Sequence, residues 1–246
     1  MFGLDFFEIV MLMVSALIVG FSKAGIQGAT IPAVAMMAII FGGKDSAGII
    51  LPMLIVGDLV AIFKYGKKGN IRDVLKLIPA AVVGIVAGAV VGSWINDAQF
   101  KILIGVIVIV CVILLAIREF QKKTIPLPDN VFLKTAVGIV SGFSSMIGNA
   151  AGPIFNVYIL AQNLKKETMI GTTAWFFFLM NLLKLPFHIF MWGTIDFETV
   201  KYTGFALPFI ALGAWGGIWI VKHISEKTYR SLIIIMTAIT AVRLFF

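Results

Sequence analysis

Two short glycine-rich segments interrupt the apolar sequence at matching places in the two halves of the chain. The first, from Gly20 to Pro32, reads GFSKAGIQGATIP, and the second, from Gly142 to Pro153, reads GFSSMIGNAAGP. Each segment is small, polar and closed by a proline. Paired breaks at corresponding positions of two membrane halves are the sequence feature that best locates a transporter's substrate site. The duplication therefore predicts a secondary transporter with its site at the two breaks.

The low charge content places the chain in a membrane. Only 13% of its 246 residues are charged and 60% are hydrophobic, whereas a soluble domain carries about 25% charged residues. The apolar stretches recur along the whole chain, which predicts a multi-pass membrane protein. The acidic N-terminus lacks the basic region of a cleavable signal, so we expect the first helix to remain. With Cys111 as the single cysteine and two histidines, we expect neither a disulfide nor a metal cage, and no cofactor.

The apolar segments form two sets of five. They lie near 5–21, 29–42, 46–65, 74–95 and 101–118, and again near 131–143, 153–163, 167–190, 199–221 and 229–246. The sets also match outside the breaks, for example at Gly92-Ser93-Trp94-Ile95 and Gly217-Ile218-Trp219-Ile220. A repeat with an odd number of segments ends on the other side of the membrane, so its copy enters from the opposite side. We therefore predict an all-α polytopic fold of two inverted-topology repeats, residues 1–118 and 131–246, joined by a cytoplasmic linker, 119–130.

The segments at 29–42 and 153–163 are too short to cross a bilayer, because a crossing helix needs about 20 residues. We expect each to pair with the segment before it. The resulting broken or re-entrant helices would meet near the membrane midplane, and whether they span or re-enter is left open.

The distribution of basic residues predicts the orientation. If successive segments are connected on alternate faces of the membrane, one face carries fifteen Lys and Arg residues and the other carries five. The positive-inside rule makes the richer face cytoplasmic, with both termini outside. Lys23 on the first face and Lys184 on the second need not reach a surface, and without them the count is fourteen against four. This bias accounts for the net charge of +8 without a nucleic-acid partner.

The chemistry of the breaks suits an anion. Pro32 and Pro153 fit the first turn of a new helix, where a missing N–H costs nothing. The residues before them would present unpaired N–H groups at helix N-termini, which attract anions. Side chains and glycines of the breaks complete the predicted substrate-binding set: Ser22, Lys23, Gln27, Gly28, Thr30, Ser144, Ser145, Gly148, Asn149 and Gly152. The competing interpretations are that these small residues only let helices pack, and that Lys23 reaches the cytoplasmic interface.

Three ionisable residues fall within or near the ends of apolar segments. A charge at a helix centre costs about 2.5–3.5 kcal/mol on insertion scales, so Asp58 and Lys184 are functional candidates. Asp58, matched in the repeat by Asn181, would carry a proton or serve as a structural acid. His188, near a segment end, would lie at the interface or relay protons. Asn156, Thr172 and Thr173 would line the path or bond neighbouring helices.

The breaks at 20–32 and 142–153, one opening each half of a short repeat-built membrane protein, resemble those of the TauE/SafE sulfite-exporter family. The similarity covers nearly the whole chain, including the basic linker. The resemblance implies an inner-membrane exporter of sulfite, related sulfur oxyanions or organosulfonates, with binding residues from Gly20–Pro32 and Gly142–Pro153. The second break is poorer in consecutive glycines than the family pattern, and Gln27 and Thr30 stand among the glycines of the first. These departures bear on the preferred anion.

Other functions remain open on sequence alone. The same anion cradle would serve a passive channel, or a transporter of small carboxylates. An enzyme is not expected, because no cluster of base, nucleophile and metal ligands is evident. The expected partners are the small anionic substrate and the lipid bilayer, and the glycine ladders, such as Gly84, Gly88 and Gly92, leave a homodimer open.

Overall fold

The computed structural model describes residues 4–25, 30–41, 43–96, 99, 131–229, 231–232 and 235. These residues form α-helices and, within the described ranges, no strand, which confirms the predicted all-α class. The predicted segment 101–118, the linker 119–130 and most of 229–246 lie outside the described residues. The helices are α1 (Phe6–Ala24), α2 (Ile31–Phe41), α3 (Gly43–Tyr65), α4 (Ile71–Trp94), α5 (Val131–Gly148), α6 (Ala151–Ala161), α7 (Lys166–Pro186) and α8 (Phe197–His223).

Six of the described helices are long and apolar enough to cross a membrane: α1, α3, α4, α5, α7 with the π-helical turn Phe187–Met191 that follows it, and α8. In contrast, α2 and α6 have 11 residues each. At 1.5 Å per residue that is about 16 Å, roughly half of the hydrocarbon thickness. Neither crosses alone, as the segment lengths predict.

Local sequence explains where the helices begin. Asp5 and Asp196 each form a capping box at the start of α1 and α8, in which side chain and backbone satisfy each other's hydrogen bonds. Because α2 begins at Ile31 and α6 at Ala151, Pro32 and Pro153 lie in first turns. The predicted role of the two prolines as helix starters is confirmed.

Helix packing is reciprocal between the two halves. The most extensive contacts join α1 to α8 and α4 to α5, so the first helix of each half packs on the fourth helix of the other. Helices α3 and α7 pack together, and each also contacts the fourth helix of the opposite half. Exchanging the halves converts α1–α8 into α4–α5, exchanges the contacts of α3 and α7 with the fourth helices, and leaves the α3–α7 pair unchanged. This pattern is what the inverted repeat predicts, although the inversion itself stays a prediction.

Glycines make the two largest helix contacts close. A Cβ at Gly213 would overlap the carbonyl oxygen of Leu17, and a Cβ at Gly84 would overlap that of Ile139. Small residues of this kind let helix backbones approach closely. In these two contacts, Gly84 occupies the place that Gly213 occupies in the other half. The sequence repeat pairs Gly92 with Gly217 instead, and that pairing is shifted by one helical turn. Side-chain similarity near the helix ends placed that match in the wrong turn.

Candidate functional site

A cavity of about 50 Å³ lies between the two breaks. One water needs about 10–15 Å³ on the same scale, so the space suits a solute of a few non-hydrogen atoms. Six of the ten predicted substrate-binding residues line it, together with residues of α3, α6 and α7. The lining residues with polar side chains are Ser22, Lys23, Thr30, Asp58, Ser145, Asn149, Asn156, Thr173 and Asn181, and the others are Gly152, Leu54, Ala174 and Phe177.

Lys23 points into the protein rather than to the membrane surface. Its Nζ lies 2.9 Å from Oδ1 and 3.2 Å from Oδ2 of Asp58, and 4.5 Å from the centre of the Phe177 ring. The two ion-pair side chains are 11% and 1% exposed. The interfacial interpretation of Lys23 is therefore wrong: the attraction of a buried carboxylate on α3 holds the ammonium inside. Because Lys184 is also buried, neither lysine belongs in the count of basic residues on the two membrane faces.

Asp58 links the two halves. Its Oδ2 also accepts a hydrogen bond of 2.8 Å from Nδ2 of Asn181 on α7. Asp58 and Asn181 are the residues that the sequence repeat matches with each other, and they meet where α3 packs on α7. The carboxylate thus has a cation from the first half and a neutral donor from the second.

The first break is held together by its own hydroxyls. Oγ of Ser22, near the end of α1, lies 2.9 Å from Oγ1 of Thr30, which precedes α2. Both residues line the cavity. Gln27 and Gly28, which the sequence also assigns to substrate binding, lie outside the described residues.

The second break turns at Asn149. Its φ of 52° is in the left-handed region, which asparagine tolerates better than most side chains. Its backbone N–H donates to the carbonyl of Ser145 at 3.0 Å, closing the end of α5. Its side-chain Oδ1 accepts a hydrogen bond of 2.6 Å from Nζ of Lys184, which also donates to the Ser145 carbonyl at 3.2 Å.

Several groups around the cavity have unused hydrogen-bonding capacity. Among the described residues, Nδ2 of Asn149 and Oγ1 of Thr173 are buried and have no hydrogen-bond partner. The N-terminus of α6 has no side-chain cap, and Gly152 in its first turn lines the cavity. A Cβ at Gly152 would meet no atom of the described residues within 4 Å, so the backbone here borders open space. Donors and a helix N-terminus facing one small space favour an anion.

The buried charges at and behind the cavity also favour an anion. Lys23 and Asp58 neutralise each other, whereas the contacts of Lys184 are both with neutral oxygens. With all three groups ionised, the two buried lysines and the aspartate leave one positive charge in excess. A mobile anion would offset the cost of burying that charge in a membrane.

Other predicted residues lie away from the cavity. Ser144 is buried, and neither it nor Gly148 is among the lining residues. His188, predicted at the interface or in a proton relay, is 1% exposed and pairs through Nδ1 with Oγ1 of Thr194 at 2.8 Å. Thr172 joins helices, since its Oγ1 accepts from the backbone N–H of Asn70 at 2.9 Å.

Two features of the site escaped sequence reasoning. The apolar wall, in particular Phe177, carries no distinguishing pattern, because Phe177 is one of three consecutive phenylalanines on α7. The contact of Lys184 with Asn149 joins residues 35 positions apart, and no periodicity relates them. In the described residues no group of three or more His, Cys, Asp or Glu side chains is placed to hold a metal ion.

Comparison with protein families matches residues 12–244 to the family described as Sulfite exporter TauE/SafE. The matched range covers nearly the whole chain and includes both breaks and every residue that lines the cavity. Neither the curated proteins nor the solved structures gave a match.

Proposed function

This chain belongs to the sulfite exporter TauE/SafE family, and on that premise we propose that it exports a small anion through the cavity between the two breaks. The family is one of membrane transporters of sulfite and related anions, which agrees with the six membrane-length helices. Sulfite, a related sulfur oxyanion or an organosulfonate is the proposed substrate. The observation that carries the proposal is the excess of buried positive charge and free donors at the cavity.

In the bound state, the anion lies between the ends of α1 and α5 and the starts of α2 and α6. Nδ2 of Asn149 and Oγ1 of Thr173 supply hydrogen bonds from the second half. Lys23, whose charge is shared with Asp58, lines the same cavity from the first half. The N–H groups at the start of α6 add a positive partial charge.

Transport by this site would follow alternating access. The two repeats would have inverted topologies, and one would move against the other around the bound anion. The reciprocal packing of α1 with α8 and of α4 with α5 supports this symmetry. The basic loops and linker would be cytoplasmic, with both termini outside.

The membrane potential is sufficient to drive export. An inside-negative potential moves an anion outward with about 2.3 kcal/mol per charge per 100 mV. Uniport therefore needs no other ion. Of the two residues considered for proton coupling, Asp58 lines the cavity, whereas His188 is not among the lining residues. If export is proton-coupled, we assign the proton to Asp58.

A passive anion channel is the alternative function, and small carboxylates are the alternative substrates. The cavity of about 50 Å³ suits one bound solute of a few non-hydrogen atoms, which favours a carrier. Phe177 and Leu54 in its wall would suit the apolar part of an organic anion.

The test is sulfite flux into proteoliposomes at a set membrane potential. Gly152→Leu puts a side chain into the open space at the start of α6. Gly204→Leu is the matched control: a Cβ at Gly204 would likewise meet no atom of the described ranges within 4 Å, but Gly204 is exposed on α8. We expect saturable, potential-dependent flux in the wild type and the control, and at least a tenfold loss in Gly152→Leu.

Equal flux in the two variants would overturn the assignment of the cavity as the site. Flux that does not saturate would favour the channel. If wild-type vesicles transport methanesulfonate or acetate but not sulfite, the site stands and the substrate changes.

A further inference from the structure

We propose that Lys184 is a positioning residue for the anion, acting through the side chain of Asn149. This inference rests on the proposed anion site and assigns the anionic group of the substrate to the second break. Lys184 is fully buried in the last turn of α7. It is not among the residues that line the cavity, so it acts on the substrate from behind another side chain.

The hydrogen bonds of Lys184 fix the orientation of the Asn149 amide. An amide side chain has an oxygen that accepts and an NH₂ group that donates, whereas an ammonium only donates. The 2.6 Å contact of Nζ therefore requires the oxygen of Asn149 to face Lys184. The NH₂ group must then face the other way, where it is buried and has no partner in the part of the chain that the structure describes. The cavity that Asn149 lines is the space available to it.

The charge of Lys184 strengthens this donor. An amide whose oxygen is bonded to a cation is polarised, which makes its NH₂ group a better donor to an anion. Neither oxygen that contacts Lys184 is charged, so its charge is available to a substrate. The ammonium of Lys23, in contrast, is already paired with Asp58.

The competing explanation is that Lys184 only fastens the turn between α5 and α6. Asn149→Asp separates the two explanations. A carboxylate keeps an oxygen for Lys184 and pairs with it more strongly, so the turn stays fastened. The same change replaces the NH₂ donor by a negatively charged oxygen that repels the substrate.

The experiment measures anion flux and the free energy of unfolding for Asn149→Asp in the full chain. Asn163→Asp is the matched control, since Asn163 also has a left-handed φ, of 51°, but lies in the loop between α6 and α7. We expect Asn149→Asp to fold at least as stably as the wild type and to raise KM for sulfite or methanesulfonate by about 10–100-fold, the usual worth of a charge-assisted hydrogen bond. The control should transport normally.

A second pair of variants tests Lys184 itself. Lys184→Met should raise KM more than it lowers the maximal rate, and Lys184→Arg should restore part of the affinity because it still donates to Oδ1. An unchanged KM in Asn149→Asp, in protein shown to be folded, would reduce Lys184 to a structural role. The absence of flux for any anion in the wild type would instead overturn the proposed function itself.

Discussion

Replacing Asp58 by Asn removes the carboxylate that holds the Lys23 ammonium inside the bundle. The ion-pair contacts are 2.9 and 3.2 Å, and the side chains are 11% and 1% exposed. Removing one partner of such a pair costs about 3–5 kcal/mol, because the other charge is left buried alone. Lys23 would keep the Phe177 ring at 4.5 Å, a contact worth about 0.5–2 kcal/mol. We therefore expect a loss near the lower limit, about 3 kcal/mol.

Removing the lysine of the pair should reduce the free energy of unfolding more than removing the aspartate. Lys23→Met leaves the Asp58 carboxylate, which is 1% exposed, with Asn181 as its hydrogen-bond donor. A buried carboxylate without its cation places the loss nearer 5 kcal/mol. The double variant removes both charges and should be more stable than either single variant, since replacing a whole buried ion pair is often neutral.

The assay is the free energy of unfolding, measured by titrating detergent-solubilised protein with a denaturing detergent. Glu198→Gln provides the control, because the pair of Glu198 and Lys201 is about half exposed on both sides and should change stability by less than about 1 kcal/mol. Single-variant losses that simply add in the double variant would refute the argument. So would a loss for Asp58→Asn no larger than that of the control.

Two further predictions concern stability. Gly213→Ala should destabilise the protein by about 1–3 kcal/mol, because its Cβ would overlap the Leu17 carbonyl. Gly204→Ala, where the described residues leave open space, should be neutral or stabilising. The free energies of unfolding of the two variants test this difference. Asp196→Ala should cost about 1 kcal/mol by removing the α8 cap. Hydrogen bonds from the Thr199 backbone and hydroxyl lower the pKa of Asp196 below its ordinary 3.8. The stabilisation by the Asp196 carboxylate is therefore present above pH 3.8 and is lost as the pH falls through the pKa of the folded state. Asp196→Asn keeps the cap and should lose this pH dependence, which unfolding measured from pH 6 to 3 would check.

Helix positions were largely predictable because hydropathy and helix-start residues are local. The apolar segments correspond to α1 through α8 wherever the structure describes them. Pro32 and Pro153 mark the starts of α2 and α6 because their preference for a first turn depends on the residue itself. Boundaries moved by a few residues, for instance at α5, which runs on to Gly148.

The breaks were predictable as a region, and their members less so. Ser145 and Asn149 line the cavity, but Ser144 beside them does not. Adjacent residues of a helix point in different directions, and which direction faces the cavity depends on the neighbouring helices. Sequence also overlooked Phe177, because an aromatic residue inside an apolar helix looks the same whether it meets lipid, core or cavity.

The amino-acid sequence by itself determined that this chain is a multi-pass helical membrane protein, interrupted twice at matched places, and similar to one family of exporters. Those properties follow from the chemistry of residues close together along the chain. Only the tertiary structure decided which charges meet. Lys23 and Asp58 are 35 positions apart and Asp58 and Asn181 are 123 apart. The packing of α1, α3 and α7 brings them together, and that packing leaves Lys184 as the buried charge that faces neutral oxygens.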